Sequence, residues 1–264
     1  MGIYLISSLS YLIFTASQNK ILGILSTSLL TIGLCLHSGG LVFRWVETHQ
    51  TGYGYIPLSN MYESLIFFSW TIVLVYLILE FKYKQKIIGV FVTPFAFLAI
   101  ALTSIIPGID AKITPLVPAL QSNWLMIHVT TCFLGYASFA VSFGISILYL
   151  MRDKKEGFLK WLPSTPVLDE INYKSIVIGF PMLTLGIITG AAWAHYAWGT
   201  YWSWDPKETW SLITWFIYAA FLHARFTRDW RGRKAAILSI VGFSAVLFTY
   251  FGVNYLISGL HSYL

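Results

Sequence analysis

The sequence predicts an all-α integral membrane protein: a bundle of about eight transmembrane helices with an outward-facing tryptophan-rich loop. Hydrophobic residues make up 57% of the 264 positions, and only 11% are charged, whereas soluble domains carry about 25% charged residues. A soluble domain of this size could not hide so much apolar surface. Helices are expected because they hydrogen-bond their own backbone N–H and C=O groups, and leaving those groups unsatisfied in lipid costs too much free energy.

Eight apolar stretches are long enough to cross a hydrocarbon core of ~30 Å, although the first is short. We place them near residues 2–17, 21–45, 59–81, 87–106, 123–151, 174–194, 206–225 and 235–258. The first has no basic leader and no small-residue cleavage site, so it is interpreted as a span rather than as a signal peptide. No internal repeat or low-complexity tract divides the chain, and residues 1–264 are treated as a single domain.

The basic residues predict which loops share a side of the membrane. Of the 17 Lys and Arg residues, 14 fall in one set of loops: Lys20, Lys82, Lys84, Lys86, Arg152, Lys154, Lys155, Lys160, Lys174, Arg225, Arg228, Arg231, Arg233 and Lys234. By the positive-inside rule this set is cytoplasmic. Both termini, loops 46–58 and 107–122 and the tryptophan-rich segment then face outward. Because the charges lie in short loops, they are interpreted as topology signals and no nucleic-acid partner is expected.

Segment 161–174 is the longest connection on the inner side. Thr165 as N-cap with Pro166 at the first helical position would begin a helix that runs into the sixth span. A plain helical extension is favoured over a stub that lies at the interface.

Residues 193–215 contain six of the eleven tryptophans: Trp193, Trp198, Trp202, Trp204, Trp210 and Trp215. Interfacial belts place only one or two aromatic residues at a helix end. This density of tryptophans predicts a surface that holds a large, flat, apolar ligand.

Asp205-Pro206-Lys207-Glu208 has the layout of an N-capping box, which assigns Asp205 to the start of the next helix. Lys207 is either a solvated loop lysine or a counter-charge for a ligand carboxylate.

The six histidines divide by depth. His49, His128, His195 and His261 are predicted on the outer side with the tryptophans, whereas His37 and His223 are predicted within the membrane, where an ionisable group is a functional candidate. His223 could instead snorkel toward the cytoplasmic interface, and His37 could simply be hydrogen-bonded within the bundle.

Cys35 and Cys132 are isolated, so neither a C-x-x-C nor a C-x-x-C-H motif is present, and both are interpreted as core residues.

The segment Trp198-Gly-x-x-Trp202-x-Trp204-Asp205-Pro-Lys-Glu-Thr-Trp-Ser resembles the tryptophan-rich signature of the haem-handling proteins of cytochrome c maturation, in particular the CcsA/ResC type. Further blocks that resemble this family are Leu58-Ser-Asn-Met-Tyr-Glu-Ser-Leu, Trp124-Leu-Met-Ile-His128, Leu222-His223-Ala-Arg and Gly259-Leu-His261-Ser-Tyr.

The resemblance implies roles for residues. The histidines that match His128 and His261 flank the tryptophan loop and ligate haem iron on the outer face. The histidine that matches His223 binds haem within the membrane, together with a histidine of a separate subunit. Trp198, Trp202, Trp204 and Asp205 belong to the implied haem-binding set, with haem b as a substrate in transit.

Arg44 is the strongest candidate for binding the haem propionates. Only Arg44, Lys112 and Lys207 face outward among the basic residues, and Arg44 alone lies at a span end. A carboxylate ligand matches its bidentate fork. The alternative is an interfacial arginine that snorkels to lipid phosphate.

The predicted function is haem delivery and covalent haem attachment to the C-x-x-C-H segment of apocytochrome c, outside a bacterial cytoplasmic membrane or in a thylakoid lumen. The chain would be one subunit of a two-component cytochrome c haem lyase, with a second membrane subunit of the CcsB/ResB type. One alternative is the relative that hands haem to a chaperone in the multi-component maturation system. Less favoured are a b-type electron-transfer cytochrome, which would need stacked histidine pairs, and a transporter, which would need broken helices.

Overall fold

The structure is a computed structural model that describes residues 1–154 and 161–257. All regular elements in those ranges are helical, which confirms the predicted all-α class. Eight main helices follow one another as α1 Gly2–Ser17, α2 Lys20–Gln50, α3 Met61–Tyr83, α4 Gly89–Ile105, α5 Asn123–Lys154, α6 Thr165–Trp198, α7 Pro206–Arg228 and α8 Arg233–Leu247. Short 3₁₀ turns lie at Lys86–Ile88 and Pro118–Leu120, and a π-helical turn, Phe248–Gly252, joins α8 to α9, Val253–Leu256.

Six helical segments of the described chain are long and apolar enough to cross a membrane, which supports the predicted membrane protein. They are Lys20–Gln50, Met61–Tyr83, Lys86–Ile105, Asn123–Asp153, Thr165–Trp198 and Arg233–Leu256. The apolar α1 has 16 residues, and α7 is long enough but carries more polar residues. The predicted count of eight spans therefore stays a prediction for these two helices.

Two predicted boundaries shift in the structure. Helix α6 begins at Thr165, with Ser164 rather than Thr165 as the N-cap and Pro166 in the first turn, where its missing N–H costs nothing. It runs without a break to Trp198, so the favoured helical extension is confirmed. Gly199 ends it with a φ of 79° and an N–H donated to the His195 carbonyl. His195, predicted in the tryptophan loop, therefore lies in the last turn of α6, because only the glycine adopts this left-handed conformation readily.

The antiparallel helices α5 and α6 approach closely because glycines lie between them. A Cβ on Gly135 would stand 3.1 Å from the Gly179 carbonyl oxygen, and one on Gly186 would stand 2.5 Å from the Cys132 sulfur. A Cβ on Gly190 would meet His128 Nδ1 at 2.6 Å. Small residues allow helix backbones to approach in membranes, and here they bring the α6 backbone within hydrogen-bond reach of a histidine on α5.

The loops that were predicted to share the outer side do lie together at one end of the bundle. Trp193 Nε1 donates to the Ala119 carbonyl at 2.7 Å, and Arg44 donates to the Ala111 carbonyl at 2.9 Å. Both bonds tie loop 107–122 to helices that end on this side. We call this the outer end; its exposure to the periplasm or lumen remains a prediction from charge.

The opposite, inner end carries two buried carboxylates, Asp169 and Glu80. Arg225 donates to Asp169 at 2.6 Å, and the second Asp169 oxygen accepts the Gly232 N–H, which joins α6 to the α7–α8 connection. Glu80 accepts from Tyr11 and Tyr76 at 2.5 and 2.6 Å. A buried charge needs such partners, since an uncompensated one costs several kcal/mol.

Candidate functional site

A cavity opens at the outer end of the bundle, between α3, α5, α6, the start of α7 and the π-helical turn. Together with the solvent-open space at its mouth, it encloses about 1170 Å³. Its walls are formed by Leu58, Ser59, Asn60, Met61, Ser64, Leu120, Leu125, His128, Val129, Cys132, Phe133, Tyr136, Ile187, Gly190, Ala191, Trp193, Tyr201, Trp202, Lys207, Glu208, Ser211, Thr249, Tyr250 and Asn254. The cavity thus combines a mostly apolar wall with a few polar groups.

His128 lies in the cavity wall in a defined orientation. Its Nδ1 lies 2.7 Å from the Gly186 carbonyl oxygen, and its ring stacks on Trp193 with centroids 5.9 Å apart and planes 18° apart. Because a carbonyl can only accept, Nδ1 carries the proton, and the Nε2 lone pair of the neutral ring is left for a ligand. This is the arrangement in which a second hydrogen bond orients a metal-binding imidazole.

The tryptophans divide into structural and site residues. Trp193 is 2% exposed, Trp210 packs on Phe248 at 4.2 Å, and Trp215 donates Nε1–H to Thr184 at 2.9 Å. Trp210 and Trp215 hold helices together, whereas Trp193 also lines the cavity beside His128. Trp202 lines the cavity, and Trp204, 69% exposed, meets its ring edge-on at 5.8 Å.

Trp198 supports the cavity from outside its wall. Its ring packs against Trp193 with centroids 4.9 Å apart, and Trp193 in turn stacks on His128. Of the three predicted platform residues, the structure therefore brings Trp202 to the cavity, Trp204 to its rim and Trp198 behind it.

Asp205 begins α7, as the capping-box pattern predicted. Its carboxylate accepts the Lys207 N–H at 2.9 Å, while the Glu208 carboxylate accepts the N–H groups of Asp205 and Ser203 at 3.2 and 2.8 Å. Asp205 is buried and does not line the cavity. Its contacts fix the angle at which the short loop 199–205 meets the helix.

Lys207 lies in the first turn of α7 and lines the cavity. Its ammonium donates to Asn254 Oδ1 at 2.9 Å, and the Asn254 amide donates to the Tyr250 carbonyl at 2.7 Å. Of the two environments predicted for this lysine, the structure supports the cavity over the solvated loop.

Arg44 lies away from the cavity wall. Its guanidinium binds Glu63 at 2.9 Å, donates to the Ala111 carbonyl and lies over the Tyr62 ring at 5.1 Å. The Glu63 side chain is completely buried, and its other oxygen accepts from the Ser59 N–H and hydroxyl. Ser59 is a cavity residue, so Arg44 is connected to the cavity wall through Glu63 and Ser59.

The remaining histidines lie in different environments. His223 is exposed on the outside of α7. His37 Nδ1 lies 3.0 Å from the Tyr4 hydroxyl, which agrees with a histidine hydrogen-bonded within the bundle. His49 contacts the Trp45 carbonyl, and His195 stacks on Tyr201 with centroids 4.2 Å apart. His261 lies outside the described residues.

Sequence reasoning missed the far wall of the cavity. Thr249 and Tyr250 belong to the π-helical turn, and the Tyr250 hydroxyl lies 2.5 Å from Ser64 Oγ on α3. Single π-helical turns often occur at functional sites, but an apolar helix pattern gives no signal for one. Ser64 could have been noticed, because it lies in the Leu58-Ser-Asn-Met block that resembled the family.

Fold and cavity together define a polytopic helical membrane protein whose outer-end cavity is lined by His128 and by aromatic side chains. The family model described as "Cytochrome C assembly protein" matches residues 58–261. The chain therefore belongs to the cytochrome c assembly family.

Full-length relatives agree with this assignment. The chain is 43% identical to a "Cytochrome c biogenesis protein CcsA" of Guillardia theta, over 98% of this chain and 92% of that protein. It is 40% identical to the protein of that name from Gloeobacter violaceus and 42% identical to that from Pyropia yezoensis, over 90% and 92% of this chain and 86% of each relative. The process in which the chain takes part is cytochrome c biogenesis.

Proposed function

We propose that the chain holds haem b as a substrate in the outer-end cavity and presents it for covalent attachment to apocytochrome c. It would do so as one subunit of a two-component cytochrome c haem lyase, on the periplasmic or lumenal side of a bacterial cytoplasmic or thylakoid membrane. The observation that carries the proposal is His128, which is held in one tautomer by the Gly186 carbonyl and lines an apolar cavity beside Trp202.

The cavity suits the iron and the porphyrin body of this substrate. Neutral imidazole is a usual axial ligand of haem iron, and the Nδ1–H bond leaves Nε2 for that role. We propose His261 as the second axial ligand on the outer side. Trp202 would cover a porphyrin face, with Trp204 at its edge and Trp198 behind, since aromatic rings bury large apolar areas and stack in offset or edge-on geometry.

The chain would contribute positioning rather than bond-forming groups. Each thioether forms when an apocytochrome thiol adds across a haem vinyl group: sulfur bonds to one carbon, the thiol hydrogen ends on the other, and no group leaves. Holding substrate and thiols together in a dry site lowers the entropic part of the barrier, and the reacting bonds belong to haem and thiol.

The second subunit of the proposed lyase would meet α7. His223 is exposed there, between Phe216 and Phe226, which are 57% and 70% exposed. An exposed histidine on a helix of a membrane bundle needs a partner. We propose that a CcsB/ResB-type subunit supplies the other ligand for haem bound within the membrane.

The alternative functions are less well supported. Transfer of haem to a chaperone would use a similar cavity, but the full-length relatives are named CcsA. An electron-transfer cytochrome would need stacked pairs of histidines within the spans, whereas His37 lies against Tyr4 of α1 and His223 is exposed on α7.

The proposal is tested by substituting His128. His128→Ala should lose most of the haem that copurifies with the chain and most cytochrome maturation, and added imidazole should restore part of both by occupying the vacated coordination position. His49→Ala is the matched control, because His49 is exposed at the same end and outside the cavity. Normal haem content and absorption spectrum in His128→Ala would remove this residue from the site and contradict the proposal.

A further inference from the structure

A second concave surface lies at the outer end of the bundle, beside the cavity and between two loops. One wall is formed by residues 52–56, which follow α2, and the other by residues within 115–126, which lead into α5. Its floor is buried, since Tyr55 and Leu120 are only 6% and 7% exposed, whereas Tyr53 on its rim is 44% exposed. We call this surface the outer groove.

Hydrogen bonds within each loop hold the outer groove in shape. The Thr48 hydroxyl donates to the Tyr55 carbonyl at 2.6 Å, and the Thr48 carbonyl accepts the Gly54 N–H at 2.8 Å. On the other wall, the Gln121 side chain donates to the Leu116 carbonyl at 2.8 Å. Because both walls are held by the chain itself, a ligand that binds between them loses little affinity to the ordering of loops.

The outer groove continues into the cavity. Leu120 lines both of them. On one side, residues 52–56 of the groove are followed along the chain by Leu58 of the cavity wall, and on the other side Asn123 of the groove precedes His128 of the cavity wall on α5. A ligand that lies in the groove can therefore extend into the cavity along the surface of the protein.

The chemistry of the outer groove suits an uncharged, extended polypeptide. Within the described part of the chain, no acidic or basic side chain lines it. Gln121 and Asn123 offer amide groups, which donate and accept hydrogen bonds as a peptide group does. A Cβ on Gly52 would meet nothing within 4 Å, so a second backbone has room to approach the loop there. Peptide-binding sites combine such main-chain contacts with pockets for side chains.

Other ligands match the outer groove less well. An anionic ligand such as a phosphate would find no cationic side chain among the described lining residues. A lipid acyl chain would gain nothing from the amide groups of Gln121 and Asn123, because it has no polar atom to pair with them. The walls also lie in the α2–α3 and α4–α5 connections and the first turn of α5, where the bundle ends.

We infer that the outer groove docks the part of apocytochrome c next to its C-x-x-C-H motif, so that the two cysteine thiols enter the cavity. The inference rests on the proposed function and deepens it, because attachment requires both thiols at the edge of the bound haem. An extended chain advances at most about 3.3–3.6 Å per residue, so the five residues of the motif span about 17 Å. The residues that flank the motif must then lie outside the cavity, and the outer groove is a surface that continues from it.

Photocrosslinking in cells that express an apocytochrome c tests where this segment lies. Tyr53→p-benzoylphenylalanine places a photoreactive aromatic ring on the groove rim of the full chain. Irradiation should crosslink it to apocytochrome residues close to the C-x-x-C-H motif, identified by mass spectrometry. Tyr196→p-benzoylphenylalanine is the matched control, because Tyr196 is 62% exposed near the outer end of α6 and lines neither the groove nor the cavity. It should give no such crosslink.

A peptide measures how much the groove contributes to affinity. The probe is a synthetic peptide that carries the motif and its flanking residues, with serine in place of both cysteines so that no thioether forms. Asn123→Trp should fill the groove and weaken peptide binding to the detergent-solubilised chain on the order of tenfold, as expected when one or two hydrogen bonds are blocked. Haem content should stay normal, because Asn123 does not line the cavity.

Ile127→Trp is the matched control for this variant. It makes the same residue one turn further along α5, at a position that is 47% exposed and outside both the groove and the cavity. Peptide affinity and haem content should both equal those of the wild-type chain.

Each result decides the inference separately from the proposed function. A crosslink from position 53 to the second membrane subunit alone, or none to apocytochrome c, would overturn the inference. Equal peptide affinity in the wild-type chain and in Asn123→Trp would overturn it as well. A chain that docks the peptide in the groove but binds haem independently of His128 would retain the inference and contradict the proposed function.

Discussion

At the scale of single residues, the Arg44–Glu63 pair changes the expectation for Arg44. An arginine at the outer end of α2 was predicted to meet a propionate, and the structure gives it a buried carboxylate of the protein. The physical argument for a compensating anion was sound, but the anion lies on α3, 19 residues along the chain. That Arg44 binds a haem propionate stays a prediction, and its test must distinguish this role from the ion pair with Glu63.

Arg44→Gln should lower the free energy of unfolding by about 3–5 kcal/mol, because it leaves a buried carboxylate without its partner. The double variant Arg44→Gln, Glu63→Gln should recover most of that loss, since two amides can hydrogen-bond without charge. Thermal unfolding of both variants in detergent measures the effect. Equal destabilisation in the single and double variants would contradict the pairing, and haem lost from a stable double variant would favour the propionate role.

Trp202 should bind haem through the apolar area that its ring buries and through its aromatic face. Trp202→Phe should retain most of the bound haem, whereas Trp202→Ala should lose it, because stacking and burial depend little on the indole N–H. Haem content after purification measures both. Trp210→Phe is a control that lies in the same segment but packs on Phe248, and it should leave haem content unchanged. If Phe and Ala at 202 were equally damaging, an N–H hydrogen bond would be the better explanation.

At the scale of helices, the close approach of α5 and α6 builds the histidine site. Gly186 supplies the carbonyl for His128, and Gly190 supplies the space for its ring. The two glycines lie four residues apart and so on one face of α6. The packing of α5 against α6 and the orientation of the His128 ring therefore depend on the same two glycines.

Gly190→Ala should displace the His128 ring, because the added Cβ would lie 2.6 Å from Nδ1. We expect loss of haem and a lower thermal stability. Gly39→Ala on α2 is the control, since its added Cβ has no atom within 4 Å apart from its chain neighbours and its own helix backbone. It should be neutral or slightly stabilising, as is usual for glycine replaced within a helix. Normal haem content in Gly190→Ala would show that His128 is not held as described.

The capping of α7 shows how much local sequence can predict. Asp205, Pro206 and Glu208 form a pattern that indicates a helix start by itself, and the structure contains that start. The pattern carries no information on where the helix lies relative to α3 and α9. The side of α7 that Lys207 occupies was consequently left open between solvent and ligand.

At the scale of the whole molecule, the basic loops and the tryptophan segment lie at opposite ends of one helical bundle. The ion pair between Arg225 and Asp169 marks one end, and the cavity marks the other. This separation agrees with the grouping of loops by charge. The orientation relative to the membrane follows only from the positive-inside rule.

Reporter fusions test that orientation. A fusion at residue 203, in the loop beside the cavity, should report the periplasmic or lumenal side, and one at residue 230, between α7 and α8, should report the cytoplasmic or stromal side. Opposite signals are expected because residues 203 and 230 flank α7, which we predict to cross the membrane. Identical signals at the two sites would overturn both the span and the orientation.

The sequence by itself determined the class of fold, the approximate positions of the helices, the loops that share an end and one segment, residues 193–215, that contributes side chains to the cavity wall. These features depend on composition, helix start signals and charge, which are local along the chain. It also singled out His128 and the tryptophans, through the outer-end pattern and through the resemblance to a family.

Only the tertiary structure decided which side chains form the cavity. Trp215 packs into the protein while Trp193 and Trp202 line the cavity. Arg44 meets Glu63, and Lys207 meets Asn254, 47 residues away. The tautomer of His128 depends on a carbonyl 58 residues distant. Such contacts arise from how helices pack against one another, and a pattern along one helix cannot encode which neighbour its faces will meet.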